Sequence, residues 1–175
     1  QLTGERSVFA HGIHLAEKEW RCLHETGSAI AFCPTSNLFL GSGLFRLPAS
    51  WQHQVRIGIG SDVGAGTTFS LLRTLGEAYK VAQLQSYRLR ASEAFYHATL
   101  GGAHALRLDD KIGNFQSGKE ADLVVIDPAV TPLQKLRGAR CHDVYEQLFV
   151  LMTLGDERNI SETWVNGQQV WCNEG

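Results

Sequence analysis

Short apolar runs alternate with amphipathic segments through the first half of the chain. Such runs, bounded by Gly, Pro or Ser, are typical of strands buried on both faces of a parallel sheet. We predict strands at Val8–Ala10, Ala29–Phe32 and Arg56–Gly60. The segments between and after them place apolar residues three or four apart, which predicts helices over residues 17–25, over residues 48–54, and from a cap at Thr67 or Thr68 to Leu84. Strands that alternate with helices in this way indicate parallel β/α units.

The second half of the chain has a different pattern. Asn166-Gly167 stands between two runs of alternating apolar residues, and this dipeptide is the strongest short signal for a β-hairpin. We predict a helix that Ser92 caps and that covers residues 93–106, a strand at Ala121–Ile126, helices within residues 133–136 and 143–154, and a hairpin over Ile160–Trp171.

The composition is that of an ordinary globular protein. Of the 175 residues, 43% are apolar and 19% are charged, and the formal net charge is −2. The chain has no basic stripe and no long apolar run, which argues against nucleic-acid binding and against a membrane span. Its four cysteines form no C-x-x-C pair, which favours a reduced, cytoplasmic protein over a structural zinc cage. Because the chain begins with Gln1 rather than Met, we expect it to begin inside a longer protein.

Asp62 is the first candidate for chemistry. It follows the predicted strand Arg56–Gly60 and opens into a glycine-rich loop. A carboxylate at the carboxyl end of a barrel strand is typical of a catalytic or metal-binding residue. The alternative is a helix cap or an Asx-turn residue, which the spacing allows equally well. Gly64 and Gly66 would leave room for a ligand beside it.

His11 is the second candidate, because it follows the predicted strand Val8–Ala10. A histidine at this position could orient a bound hydroxide and stabilise developing charge. A lone histidine is more often a core residue with satisfied hydrogen bonds, and only the combination with Asp62 favours catalysis. We interpret His14, three residues later, as a residue at the start of a helix.

Residues Thr35–Gly43, rich in Ser, Gly and Asn, predict a long loop after the second strand. Ser36 and Asn37 in this loop could contact a substrate, or could bond the loop to itself. Cys33 just before it would need a neighbouring base to act as a nucleophile, and the sequence supplies none. The five remaining histidines have no metal-ligand spacing and are interpreted as surface or packing residues.

Five motifs occur in an order that resembles the amidohydrolase superfamily. They are Ala10–Leu15 (AHGIHL), Phe32–Asn37 (FCPTSN), Gly60–Gly66 (GSDVGAG), Gly118–Asp127 (GKEADLVVID) and Trp164–Gly167 (WVNG). The last two are shared across the superfamily, whereas GSDVGAG and Asn37–Phe45 (NLFLGSGLF) point to its deaminase branch. The resemblance covers nearly the whole chain.

The resemblance implies an α/β fold, namely the C-terminal part of a TIM-type (β/α)8 metal-dependent hydrolase barrel plus strands of a small β-sandwich. Residues 1–109 would form the sixth to eighth barrel strands with their helices, and residues 110–175 would form sandwich strands and terminal helices. Asp62 would match the metal-binding aspartate after the eighth strand, and His11 the histidine of the sixth strand.

The family's other metal ligands have no counterpart in this sequence. Its paired His-x-His, its fifth-strand histidine and the acid/base glutamate are all missing, and Asp62 is the one expected ligand that remains. Zinc typically takes three or four protein ligands. We therefore expect zinc or iron in the intact enzyme, and weak or no binding by this chain alone.

The resemblance implies a metal-dependent aminohydrolase of purine catabolism in the cytoplasm, with this chain inactive by itself. The substrate would be a small purine, with no nucleic-acid or membrane partner. Alternatives are a related aminohydrolase for adenosine-like nucleosides or chlorotriazines, and a non-catalytic domain that serves assembly. Because three parallel strands leave an unpaired edge, we also expect a homo-oligomer.

Overall fold

A parallel three-stranded sheet organises the first half of the chain. The computed structural model describes residues 2–173, so Gln1, Glu174 and Gly175, which belong to the predicted segments 1–109 and 110–175, lie outside the described part. The strands are β1 (Val8–Ala10), β2 (Ala29–Phe32) and β3 (Arg56–Ile59), in the order β1-β2-β3. The register pairs Ala10 with Ala31 and Phe32 with Ile59, so all three carboxyl ends lie at one edge. The three predicted strands are confirmed.

Six helices of the described chain follow these strands. They are α1 (Glu17–Thr26), α2 (Pro34–Phe39), α3 (Leu47–Gln52), α4 (Leu71–Leu84), α5 (Ala91–Ala98) and α6 (Leu100–Leu106). Helix α1 buries Trp20 and Leu23, as their spacing predicts, and ends at Gly27 with a φ of 68°. The helix predicted over residues 17–25 is thus confirmed to within one residue.

Three predictions about a loop and the starts of helices were wrong. The predicted loop Thr35–Gly43 begins as helix α2, because Pro34 supplies a favourable φ at its first turn and its first four residues are buried. The long helix is capped by Ser70, whose hydroxyl accepts from the N–H of Arg73, rather than by Thr67 or Thr68. His14 precedes α1 and bonds the carbonyl of Ser42 instead of starting a helix.

The helix predicted over residues 93–106 is two helices, and neither begins at a Ser92 cap. The N-cap of α5 is Arg90. The helical conformation is interrupted at Thr99, where φ is −127° and ψ is −102°. This break lets α6 lie directly against β3. A Cβ atom on Gly58 would be 3.0 Å from the Cα of Gly102, so the contact requires the absence of side chains.

The second half forms an antiparallel sheet and two helices. The elements are β4 (Leu123–Ile126), α7 (Pro132–Gly138), α8 (Val144–Leu154), β5 (Ile160–Val165) and β6 (Gln168–Cys172), with sheet order β4-β5-β6. The predicted hairpin is confirmed, and Asn166 and Gly167 both have positive φ, as its tight turn requires.

Helix α8 joins the two halves by packing on α4. Met152 of α8 is fully buried in the same core as Phe32 and Leu75 of the first half. The predicted domain boundary between residues 109 and 110 stays a prediction. Helix α8 belongs to the second predicted segment, but its buried residues pack in the core of the first. In the described part of the chain, no helix has the length and apolar character needed to cross a bilayer.

A buried polar cluster lies where α5 packs beside β3. His97 is 4% exposed, and its ring lies parallel to that of Trp51 at 6.3 Å. Neither ring nitrogen has a well-oriented hydrogen bond within residues 2–173, and the nearest carboxylate, Glu93, is 4.0 Å away. Burial lowers the pKa of His97, and the backbone of Ile57 opposes this effect in part. His97 is therefore a packing residue, as its spacing predicted.

We predict that Met152→Ala costs about 2–5 kcal/mol in free energy of unfolding, the range for truncating a large buried side chain. The matched control is Val144→Ala on the same helix, because Val144 is 58% exposed. Urea unfolding of both variants measures the difference. Equal stability of the two variants would show that α8 does not anchor the second half to the core.

We also predict that acidification from about pH 7 to about pH 5 destabilises the protein partly through His97. Its pKa is below 6.5 when folded, so the unfolded chain takes up the proton first and stability falls as the pH drops below 6.5. The limit for one proton is about 1.4 kcal/mol per pH unit.

His97→Phe, which removes the proton site but keeps an aromatic ring beside Trp51, should reduce this pH dependence in urea unfolding. The control His142→Phe replaces an exposed histidine and should leave it intact. An unchanged pH dependence in His97→Phe would contradict the assignment.

Candidate functional site

The carboxyl edge of the parallel sheet brings the predicted site residues together. His11 directly follows β1, Cys33 follows β2, and Asp62 lies three residues after β3. The edge is held by the N–H of His11, which donates to the carbonyl of Ala31 at 2.9 Å, and by the N–H of Gly60, which donates to that of Phe32 at 2.9 Å. Residues more than fifty positions apart therefore share one surface.

His11 and Asp62 face each other across this edge. The Nε2 atom of His11 lies 3.8 Å from an Oδ2 oxygen of Asp62, and the two side chains are 41% and 35% exposed. This distance is longer than a direct hydrogen bond, so both groups keep capacity for a further partner. The pair combines an imidazole and a carboxylate at a surface that is half open to solvent.

The backbone at both residues adopts the left-handed region. His11 has a φ of 72° and Asp62 a φ of 50°. Positive φ is uncommon outside glycine and costs about 1–3 kcal/mol, so the surrounding structure must enforce it. Backbone strain of this kind recurs at functional sites, which agrees with a role for this pair.

The start of α2 supports both residues. The Oδ1 atom of Asn37 lies 2.7 Å from Nδ1 of His11. The hydroxyl of Thr35 donates to the carbonyl of Ser61 at 3.1 Å, directly before Asp62. Neither contact was predicted from the sequence, and the one available signal was Pro34, which favours a first helical turn at this point.

Ser36 and Asn37 are buried. Ser36 is 0% exposed, and its hydroxyl donates to the carbonyl of Cys33 at 3.2 Å within the same turn. Asn37 is 2% exposed, and within the described residues its Nδ2 atom has no hydrogen-bond partner. The hydroxyl of Ser36 is thus used by its own turn, whereas Asn37 keeps the two donors of its NH2 group available.

The negative charge of Asp62 influences the pKa of the neighbouring Cys33 thiol. Burial raises the pKa of the Cys33 thiol first, the Asp62 carboxylate raises it further, and a hydrogen bond with the backbone of His11 lowers it in part. A raised pKa keeps the thiol protonated and unreactive. The nucleophile alternative for Cys33 therefore has no support from the geometry.

The two glycines after Asp62 differ in their surroundings. A Cβ atom on Gly64 would meet nothing within 4 Å, in agreement with space for a ligand beside Asp62. A Cβ on Gly66 would lie 1.8 Å from the carbonyl oxygen of Ser61, so Gly66 is required by the turn itself. The loop that carries Asp62 is consequently tightly packed at Gly66 and has free space beside Gly64.

The edge carries two side chains with atoms of the kinds that can bind a metal ion. Asp62 offers a carboxylate oxygen and His11 a ring nitrogen, but within residues 2–173 no three His, Cys, Asp or Glu side chains are grouped to hold an ion. Zinc typically takes three or four protein ligands. Two facing donors are fewer than this, so a zinc site at this edge would need further donors.

A cavity of about 1040 Å³ lies elsewhere. It is lined by residues in and beside α4, α5, α7 and α8, including four arginines, Arg88, Arg90, Arg137 and Arg140. None of the residues at the His11 and Asp62 edge lines it. The candidate site is instead an open edge, since β1 and β3 have no further strand partner within residues 2–173.

The chain is similar to known deaminases over nearly its whole length. It is 62% identical to guanine deaminase of Escherichia coli over 97% of the chain, and spans 39% of the length of that protein. A solved structure of the E. coli guanine deaminase superposes with a TM-score of 0.97 at 61% identity, over 99% of this chain and 40% of that one.

A more distant structure superposes as well. It is an adenosine deaminase from Xanthomonas campestris with bound zinc, which gives a TM-score of 0.82 at 29% identity over 96% of this chain and 37% of that one. These similarities confirm the predicted fold class, a partial TIM-type barrel of α/β structure.

Residues 1–170 match the Amidohydrolase family. This match covers almost all of the sequence, and it agrees with the carboxyl-edge arrangement of His11 and Asp62. The chain belongs to the amidohydrolase family.

Proposed function

We propose that this chain is the carboxyl-terminal part of a longer enzyme that converts guanine and water to xanthine and ammonia. The observation that carries the proposal is the 62% identity to E. coli guanine deaminase. The partner is then a small purine, and neither a nucleic acid nor a membrane takes part.

The proposal gives Asp62 and His11 distinct roles. Asp62 provides one carboxylate ligand to a zinc or iron site, and accepts a proton at its free oxygen during the reaction. His11 directs Nε2 to the same space, where this nitrogen accepts a proton and the charged ring then stabilises negative charge that develops there. The bound metal would supply an activated water. Ser36 and Asn37 stay predicted as substrate-binding residues.

The remaining donors would come from outside this chain. Three strands cannot close a barrel, and the open outer sides of β1 and β3 suit strands that complete it. The chain alone should then bind metal weakly and show no deaminase activity. We further propose that the complete enzyme is a cytoplasmic homo-oligomer of purine catabolism.

A second candidate is a related aminohydrolase that acts on adenosine-like nucleosides. The similarity to a zinc-containing adenosine deaminase supports it, but at 29% identity rather than 62%. Chlorotriazine hydrolysis and a non-catalytic assembly role have weaker support. Comparing turnover of guanine, adenosine and a chlorotriazine by the full-length protein separates these functions.

We predict that Asp62→Asn in the full-length protein lowers kcat for guanine by about 10²- to 10⁴-fold or more, because the amide can neither accept the proton nor bind metal as a carboxylate does. Metal content measured by mass spectrometry should fall as well. Asp110→Asn, at an exposed carboxylate remote from the sheet edge, is the control and should keep full activity.

The 175-residue chain assayed by itself should release no ammonia from guanine. Wild-type activity in Asp62→Asn, or turnover by the isolated chain, would refute the proposed role of Asp62 in a shared site.

A further inference from the structure

We propose that Asn37 is a positioning residue that holds the His11 imidazole with its proton on Nδ1 and with Nε2 directed to Asp62. The catalytic consequence rests on the proposed deaminase function. The hydrogen bond itself belongs to this chain, and can be tested without any assay of activity.

The chemistry of the two side chains determines the tautomer. Oδ1 of Asn37 lies 2.7 Å from Nδ1 of His11, and an amide oxygen can only accept a hydrogen bond. In this orientation of the amide, Nδ1 of His11 carries the proton. In the neutral ring this leaves Nε2 as an acceptor, and Nε2 is the atom that lies 3.8 Å from Asp62.

Burial makes this contact a strong constraint. Asn37 is 2% exposed, so its amide competes with little water and its hydrogen bond gains strength in the low-dielectric interior. His11 is partly exposed and has a left-handed backbone. The buried partner thus fixes the ring of a residue whose own surroundings would leave it free to rotate.

The backbone around Asn37 is itself rigid. Its N–H donates to the carbonyl of Cys33 at 3.1 Å, and its carbonyl accepts from the N–H of Ser42 at 2.9 Å. Pro34 fixes the first turn of α2. A side chain with an anchored backbone on both sides can hold its partner in one orientation.

This arrangement explains why Asn37 differs from a simple substrate contact. A residue that binds substrate equally in ground state and transition state changes KM, whereas one that orients a catalytic group changes kcat. The amide oxygen of Asn37 is already used by His11. We therefore assign its main effect to kcat.

The experiment compares Asn37→Ala with Asn37→Asp in the full-length protein. Loss of a residue that orients a ligand or catalytic histidine typically costs about 10- to 100-fold in activity. We expect Asn37→Ala to lower kcat by about that factor with little change in KM. Asn37→Asp keeps an acceptor at the same place and should recover most of the loss.

The matched control is Ser50→Ala. Ser50 is 0% exposed, and its hydroxyl donates to the carbonyl of Leu47 in α3, remote from His11. The Ser50→Ala substitution removes a buried side-chain hydrogen bond without changing the orientation of the His11 imidazole, so kcat should stay at the wild-type value.

Nitrogen-15 NMR of His11 gives a second readout that a merely structural role would not change. The neutral ring should carry its proton on Nδ1 in the wild type, and should lose this preference in Asn37→Ala. If Asn37→Ala does not fold, the wild-type spectrum and Asn37→Asp decide the question.

A proton on Nε2 in the wild type, or a rise in KM with unchanged kcat in Asn37→Ala, would overturn the proposal. Wild-type protein that does not deaminate guanine, yet shows the expected spectra, would refute the proposed function and leave the positioning of His11 standing.

Discussion

The parallel register of β1, β2 and β3 is the constraint on which the candidate site depends. It places three carboxyl ends at one edge, and thereby brings His11 to within 3.8 Å of Asp62 although fifty-one positions of sequence separate them. A slip of one residue would turn each side chain to the other face of the sheet. The buried residues Ile30, Phe32 and Ile57 make such a slip costly, because it would expose the core. The hydrophobic packing of the strands therefore fixes the positions of the polar residues at their carboxyl ends.

The two candidate residues at this edge have a strained backbone, and helix α2 supports it. Both His11 and Asp62 have positive φ, and the buried start of α2 contacts His11 through Asn37 and the carbonyl of Ser61, directly before Asp62, through Thr35. This short helix thus supports the backbone or side chain on both sides of the candidate site. Within the described residues, the outer strands β1 and β3 of this sheet each lack a partner on one side. This agrees with a chain that spans 39% of the length of its E. coli relative.

Much of the fold could be predicted from the sequence, because each strand is a short apolar run and the hairpin has an explicit Asn166-Gly167 turn. The α2 helix was missed since its Ser and Asn residues favour loops locally, and only tertiary burial stabilises them as helix. The break at Thr99 was missed because contact between Gly102 and Gly58, rather than local propensity, decides it. The positions of His11 and Asp62 after strand ends could be predicted. The contacts of Asn37 with His11 and of Thr35 with the carbonyl of Ser61 could not, because they depend on three-dimensional proximity.

The central claim is that Asp62 contributes one ligand to a metal site completed by residues outside this chain. The most direct measurement is anomalous diffraction at the metal absorption edge from crystals of the full-length protein. The account predicts an ion about 2.0–2.2 Å from a carboxylate oxygen of Asp62, with the other ligands drawn from outside the 175 residues. An ion bound at another place, with Asp62 contacting only protein or solvent, would contradict it.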